Sequence, residues 1–305
     1  MKTSLWALLL IVGLGASVPL QRWMDARRDQ IPAEESLYFT SGETLKRASF
    51  GFEGLLADLY WLRTIQYFGD KAQQVKGTVN IGNVKDWNLV LLESLLRITT
   101  ELDPHYVAAY RFGALFLPDI NPEGAIKFVQ NGINNNPDDW RLYQDLGYIY
   151  WKQGRYREAS ETYERGSRIA KAPGWMKTMA AVMLAQGGER ETARTMFQRI
   201  YESSDDPNVK GISLSRLQSM QSEDEIEFLN RLVITFREKR GECPSSLAGF
   251  MKSLPQVSLE KFQAAGLRLS ENYVPLDPHG FTYDYDAASC SVTLSKESTI
   301  VRWKR

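Results

Sequence analysis

Metal and redox chemistry have little to work with in this chain, which has two histidines and two cysteines among 305 residues; zinc sites draw mostly on those two types. Excess charge is missing as well. Thirty-seven Lys and Arg stand against 37 Asp and Glu, and no polybasic run disturbs the balance. That argues against nucleic-acid binding through a basic face and against a polybasic membrane patch. No Gly-x-Ser-x-Gly, phosphate loop, His-Glu-x-x-His or paired-cysteine spacing occurs, so local motifs offer no nucleophile, cofactor cradle or metal set. The expectation is a protein that is not an enzyme, with no catalytic residue, cofactor or metal assigned. What is present is a packed globular composition, 43% hydrophobic and 24% charged, rather than a disordered one.

The first twenty residues set the expected compartment. A short basic start, Met1-Lys2-Thr3, leads into an apolar stretch over residues 5–14, broken by Gly13. Small residues follow at Gly15, Ala16 and Ser17, then Pro19-Leu20 and a charged stretch. This order reads as a secretory signal, and two outcomes fit it. Cleavage after Ser17 would release a periplasmic or secreted protein. Retention of residues 4–20, at the short end of the spanning range of about 17–25 residues, would leave a single-pass inner-membrane protein facing the periplasm. Residues 21–52 would then be juxtamembrane. Lys2 against Arg22, Arg27 and Arg28 does not settle the orientation.

A search for self-similarity finds a period of 34 residues. It links Gly113, Gly147 and Ala181; Phe116, Tyr150 and Leu184; Ala125, Ala159 and Ala193; and Val129, Tyr163 and Phe197. Small residues recur where helices must approach closely, and large apolar ones where the next unit packs. The fullest unit covers residues 140–171, with Leu146-Gly147, Tyr150, Gly154, Tyr156, Ala159 and Tyr163. On these residues the chain resembles the tetratricopeptide repeat, two antiparallel helices per unit closed by proline, here Pro104 and Pro137, with Pro173 and Pro207 within a few residues of that place. The resemblance implies a mainly α fold, a helical-hairpin solenoid over residues 53–207 with three units from residue 106. Leu117-Pro118-Asp119 should end the first helix of its unit early. Upstream, Leu55, Leu59, Leu62 and Ile65 share helical spacing, as do Leu91, Leu92, Leu95 and Ile98. These read as a divergent first unit with a polar loop at residues 70–86, long enough to touch a partner. Residues 208–240 read as capping helices.

The same resemblance places a groove on the first helix of each unit. Tyr110 and Ala114 come from the first, Arg141, Gln144, Tyr148 and Trp151 from the second, and Trp175, Met179 and Val182 from the third. Aromatic side chains with a few polar groups suit a peptide or protein partner. Some relatives clamp a peptide carboxylate, but Tyr110, Ala114, Asp145, Trp175 and Met179 occupy those places and do not fit that mode. Apolar residues at this spacing also serve ordinary interhelix packing.

Residues 241–305 change character. Gly241, Pro244, Ser245 and Ser246 mark a boundary. Short helical stretches follow, then Phe281, Tyr283, Tyr285, Val292 and Leu294 in strand-like alternation, which predicts a small α+β module. Cys243 and Cys290 bracket it. An oxidising compartment would join them, whereas a reducing one would leave two buried thiols. Pro275-Leu276-Asp277-Pro278-His279-Gly280 followed by Tyr283-x-Tyr285 resembles a short segment near the end of type II secretion pseudopilins, and it is also a favourable turn. The sequence thus points to a scaffold outside the cytoplasmic membrane that binds protein or peptide, with its N-terminal anchor in the membrane and no nucleic-acid partner. The competing expectation is an enzyme or ligand-handling protein with its site in the C-terminal module, around Asp277 and His279, and with repeats that recruit substrate.

Overall fold

The structure, a computed structural model, describes residues 41–75, 84–255 and 266–303, together with Pro19, Ser258, Glu260 and Phe262. The expected signal or anchor, Pro19 apart, lies outside the described residues, as do positions 76–83 of the expected loop. Among the described residues no helix is long and apolar enough to cross a membrane. Among the described residues eleven α-helices come first and four short strands last, so the structure is mainly helical and repeat-like, with a small two-sheet module at its C-terminal end. It forms two compact units, the first ending at Phe128 and the second running Val129–Arg305.

The first unit contains α1 (Gly42–Ala48), α2 (Glu53–Gln74), α3 (Leu92–Leu102), α4 (Val107–Phe116) and the start of α5 (Pro122–Asn135). Helix α3 is its centre, burying Leu92, Leu95, Leu96, Ile98 and Leu102. Leu45 of α1 and Ala57 of α2 close around Ile98 and Leu102. Helix α2 packs on α3 and buries Ala57, Thr64, Tyr67 and Lys71, and the Thr64 hydroxyl is satisfied by Tyr60 O at 2.7 Å. Leu55, Leu59, Leu62 and Ile65 therefore do share a face, but it is the outer one. A small residue and a self-bonded threonine let two helices approach more closely than a row of leucines would. Part of the expected loop is also ordered, since α2 runs on to Gln74. Val84 and Trp87 are buried, and Tyr67 Oη donates to Asn88 O at 3.3 Å and accepts from Leu91 N at 3.2 Å. Helix α4 ends at Phe116 in a 3-10 turn, Leu117–Asp119, where its proline stands.

The second unit continues with α6 (Trp140–Lys152), α7 (Tyr156–Ser167), α8 (Trp175–Gln186), α9 (Arg190–Ser203) and α10 (Pro207–Arg240). Asp139 caps α6 by accepting from Arg141 N at 3.0 Å, and Asp206 caps α10 through Asn208 N at 2.8 Å, each satisfying an otherwise orphaned amide. The turns that fold α6 onto α7 and α8 onto α9 are the same turn. Gly154 and Gly188, 34 residues apart, adopt φ of 71° and 86°, the left-handed region open to glycine. Arg155 N and Glu189 N reach back to Tyr150 O and Leu184 O at 2.9 Å in both. Within the first of these hairpins a Cβ on Gly147 would stand 2.7 Å from the Tyr163 ring. That ring fills the space the glycine leaves, and its burial pushes the phenol up to about 12.

The expected capping helices are one continuous helix, α10, which ends at Gly241 with φ of 78°. Its second half enters the C-terminal module, where Leu229 and Val233 share a core with Leu247, Phe250 and Met251 of α11 (Leu247–Lys252) and with Leu267, Tyr283, Cys290 and Val292. Two antiparallel ribbons complete the module. In one, β1 (Arg268–Leu269) pairs with β2 (Pro275–Leu276); in the other, β3 (Asp284–Asp286) pairs with β4 (Ser291–Thr293), Tyr285 facing Val292. Asn230 of α10 clamps β4 by donating to Val292 O at 3.1 Å and accepting from Val292 N at 2.7 Å. Cys243 and Cys290 lie at disulfide distance, with 5.6 Å between their Cα atoms.

Candidate functional site

Helices α6 and α8 are joined by one side-chain contact near each end. At their starts Trp140 meets Trp175 edge-on at 6.3 Å. At their ends Trp151 Nε1 donates to Gln186 Oε1 at 2.8 Å. Between these ties lie most of the residues that the sequence places in the groove. Arg141 is exposed and its guanidinium lies 5.5 Å from the Trp140 ring; Gln144, Trp175 and Met179 are half-buried. Tyr148 and Trp151 are 38% and 40% exposed, high values for aromatics, and their rings are 5.6 Å apart. The two rings touch, Trp151 is also hydrogen-bonded to Gln186, and both remain accessible; ordering of this kind before binding lowers its entropic cost.

Tyr110 does not belong to this surface. It is fully buried, with its ring 5.0 Å from Phe128, and so serves packing inside the first unit. Ala114 and Val182 are buried too. Helical register puts all three on the expected face, yet all three are buried, Val182 at the wall of a cavity.

Gln186 also lines a cavity of about 420 Å³ with Tyr156, Val182, Arg190, Arg216 and Trp303. The sequence did not single out Gln186, Arg216 or Trp303. Gln186 follows Val182 by one helical turn and was within reach of the repeat pattern. The Arg216–Trp303 pair was not, because it joins α10 to the last residues of the chain. The Arg216 guanidinium lies 3.6 Å from the Trp303 ring centre, and burial lowers it to about 10, so it remains a cation at neutral pH. Arg216 Nε and Trp303 Nε1 are buried donors without a hydrogen-bond partner. Arg190 at the cavity edge is held by Glu223 and Asp224, both at 2.7 Å. The cavity wall thus combines aromatic surface, an amide and a cation.

In the C-terminal module Asp277 is fully buried and its carboxylate is committed to its own turn. Oδ1 accepts from His279 N at 2.8 Å and Phe281 N at 2.9 Å, and Oδ2 accepts from the Ser298 hydroxyl. His279 Nδ1 bonds the Thr299 hydroxyl at 2.6 Å. Asp286 accepts from Ala288 N and Ser289 Oγ, which holds its carboxyl below the usual range. Among the described residues no group of three His, Cys, Asp or Glu is arranged to hold a metal ion. No protein-family model matches the chain, and no curated protein matches it.

Proposed function

We propose that this chain is a non-catalytic scaffold of tetratricopeptide type that binds a peptide or protein across the α6–α8 surface. In this reading residues 4–20 tether it to the cytoplasmic membrane and its body lies outside the cytoplasm. The observation that carries the reading is the exposed Tyr148–Trp151 pair, with Trp151 hydrogen-bonded to Gln186. Trp, Tyr and Arg are the residue types most enriched among binding anchors, and here two such aromatics stand beside a partly polar cavity. The partner would lay an apolar side chain over these rings and bring a carboxylate or carbonyl towards Arg216. Crosslinking capture from native membranes tests it. Tyr148→Ala and Trp151→Ala should each weaken capture by about 2 kcal/mol while the helical circular dichroism stays unchanged. Capture that persists in the double variant rejects this surface.

A further inference from the structure

Among the described residues seventeen large apolar or aromatic side chains are exposed, and six of them fall between positions 50 and 65. They are Phe50 at 92%, Phe52 at 64%, Leu55 at 58%, Leu59 at 53%, Leu62 at 54% and Ile65 at 38%. Single exposed leucines need no explanation, but a contiguous patch does. Positions 55, 59 and 62 project within about 60° of one another on an α-helix, so they form one row along the outer side of α2. Phe50 adds an independent sign. It has φ of 51°, a conformation rarely adopted by a bulky residue, and it directs its ring away from the protein.

The geometry points to a lipid bilayer as the occupant of this row, with α2 lying in the interfacial layer and its leucines among the upper acyl chains. This rests on the tether proposed above. The apolar stretch that ends at residue 20 is separated from the first described helix by residues 21–40, a tether spanning at most roughly 70 Å. A body held that close to a membrane meets the bilayer at a high effective concentration. A helix whose inner side is already packed on protein and whose outer side is aliphatic, led by two phenylalanines, suits shallow insertion. Lys46 and Arg47, exposed on the helix just before Phe50, supply cations for headgroup phosphates. Asp58 flanks the row, and its carboxylate accepts from Tyr106 Oη at 3.0 Å. A second copy of the chain fits less well. A row about 15 Å long and one helix wide falls short of the roughly 800 Å² per partner of a stable dimer.

The test uses the full chain reconstituted into phosphatidylcholine–phosphatidylglycerol vesicles, with bimane attached at Leu59→Cys, Leu62→Cys or, for comparison, Lys127→Cys, and with Cys243 and Cys290 kept unreduced. Lipids carrying a nitroxide high on the acyl chain should quench the first two labels severalfold more than the third, and aqueous iodide should do the reverse. Replacing Leu55 and Ile65 by Ser should abolish the lipid quenching while leaving circular dichroism intact. Vesicle-bound protein whose Leu59 label is quenched only by iodide overturns the inference and leaves the tether standing. Protein that does not bind the vesicles overturns both. Dilution-resistant crosslinking between two Leu59→Cys copies assigns the row to self-association instead.

Discussion

At the scale of the residue, single contacts decide how the hairpins close. Gly147 admits the Tyr163 ring to a distance that no Cβ would tolerate. Gly147→Ala should therefore destabilise the chain by about 1–3 kcal/mol, the usual cost of overpacking, read as a lower denaturant midpoint with an unchanged slope. Glu225 makes a second case. It is buried, accepting from Tyr283 Oη at 2.5 Å and from Gln221 Nε2 at 2.8 Å. Burial raises its carboxyl above the ordinary glutamate range, with the two hydrogen bonds offsetting part of the rise. The folded protein therefore holds this proton more tightly than the unfolded chain does. The resulting stability is fully present below the unfolded pKa and is lost as pH rises through the folded one. Glu225→Gln should accordingly raise Tm at about pH 7, and the gain should shrink towards about pH 4. A gain that is the same at both pH values would refute the protonation argument.

At the scale of the element, periodicity showed which residues share a face but not which way the face turns. Over α6–α9 the direction was legible too, because Gly147, Tyr150, Ala159 and Tyr163 repeat with their counterparts 34 residues on, and a repeated packing residue must point at its neighbour. Helix α2 lacks that cue. Its leucines look like a core face by composition, yet Ala57 and Thr64 provide the closer approach to α3. The candidate site divides in the same way. Tyr148, Trp151 and Trp175 follow from register, whereas Tyr110, in the register of Gln144, is packed against Phe128. Trp303 lies 87 positions from Arg216, and no local pattern connects them. The tie between α6 and α8 is open to test. Gln186→Leu should free the Trp151 indole, shift its fluorescence to the red and weaken partner capture less than Trp151→Ala does, since the ring remains in place.

At the scale of the molecule, the C-terminal module is too small to hold a core alone and borrows one from α10. If Cys243 and Cys290 are joined, they close a loop of 47 residues, worth about 4 kcal/mol on the chain-entropy argument. Replacing both by Ser should lower the stability of this module by up to about that amount. Mass spectrometry of protein made in an oxidising compartment should show the Cys243–Cys290 linked peptide, and two free thiols there would count against export. Because Asn230 and the row Leu229–Val233 also hold β4 and its neighbours, the double variant should keep the native helical signal under mild conditions.

Helix α10 belongs to two neighbourhoods at once, its first half packed on α9 and its second half built into the final module. The neighbours of the first half in α9 precede it in the chain and are already made when it is synthesised. The second half then waits with Leu229, Val233 and Phe236 uncovered until the last strands have been translated. For that interval the nascent chain offers an apolar surface to holdases and proteases. A stop codon anywhere between residues 241 and 290 makes the interval permanent, so truncated products should be degraded or aggregate even though every repeat helix is intact.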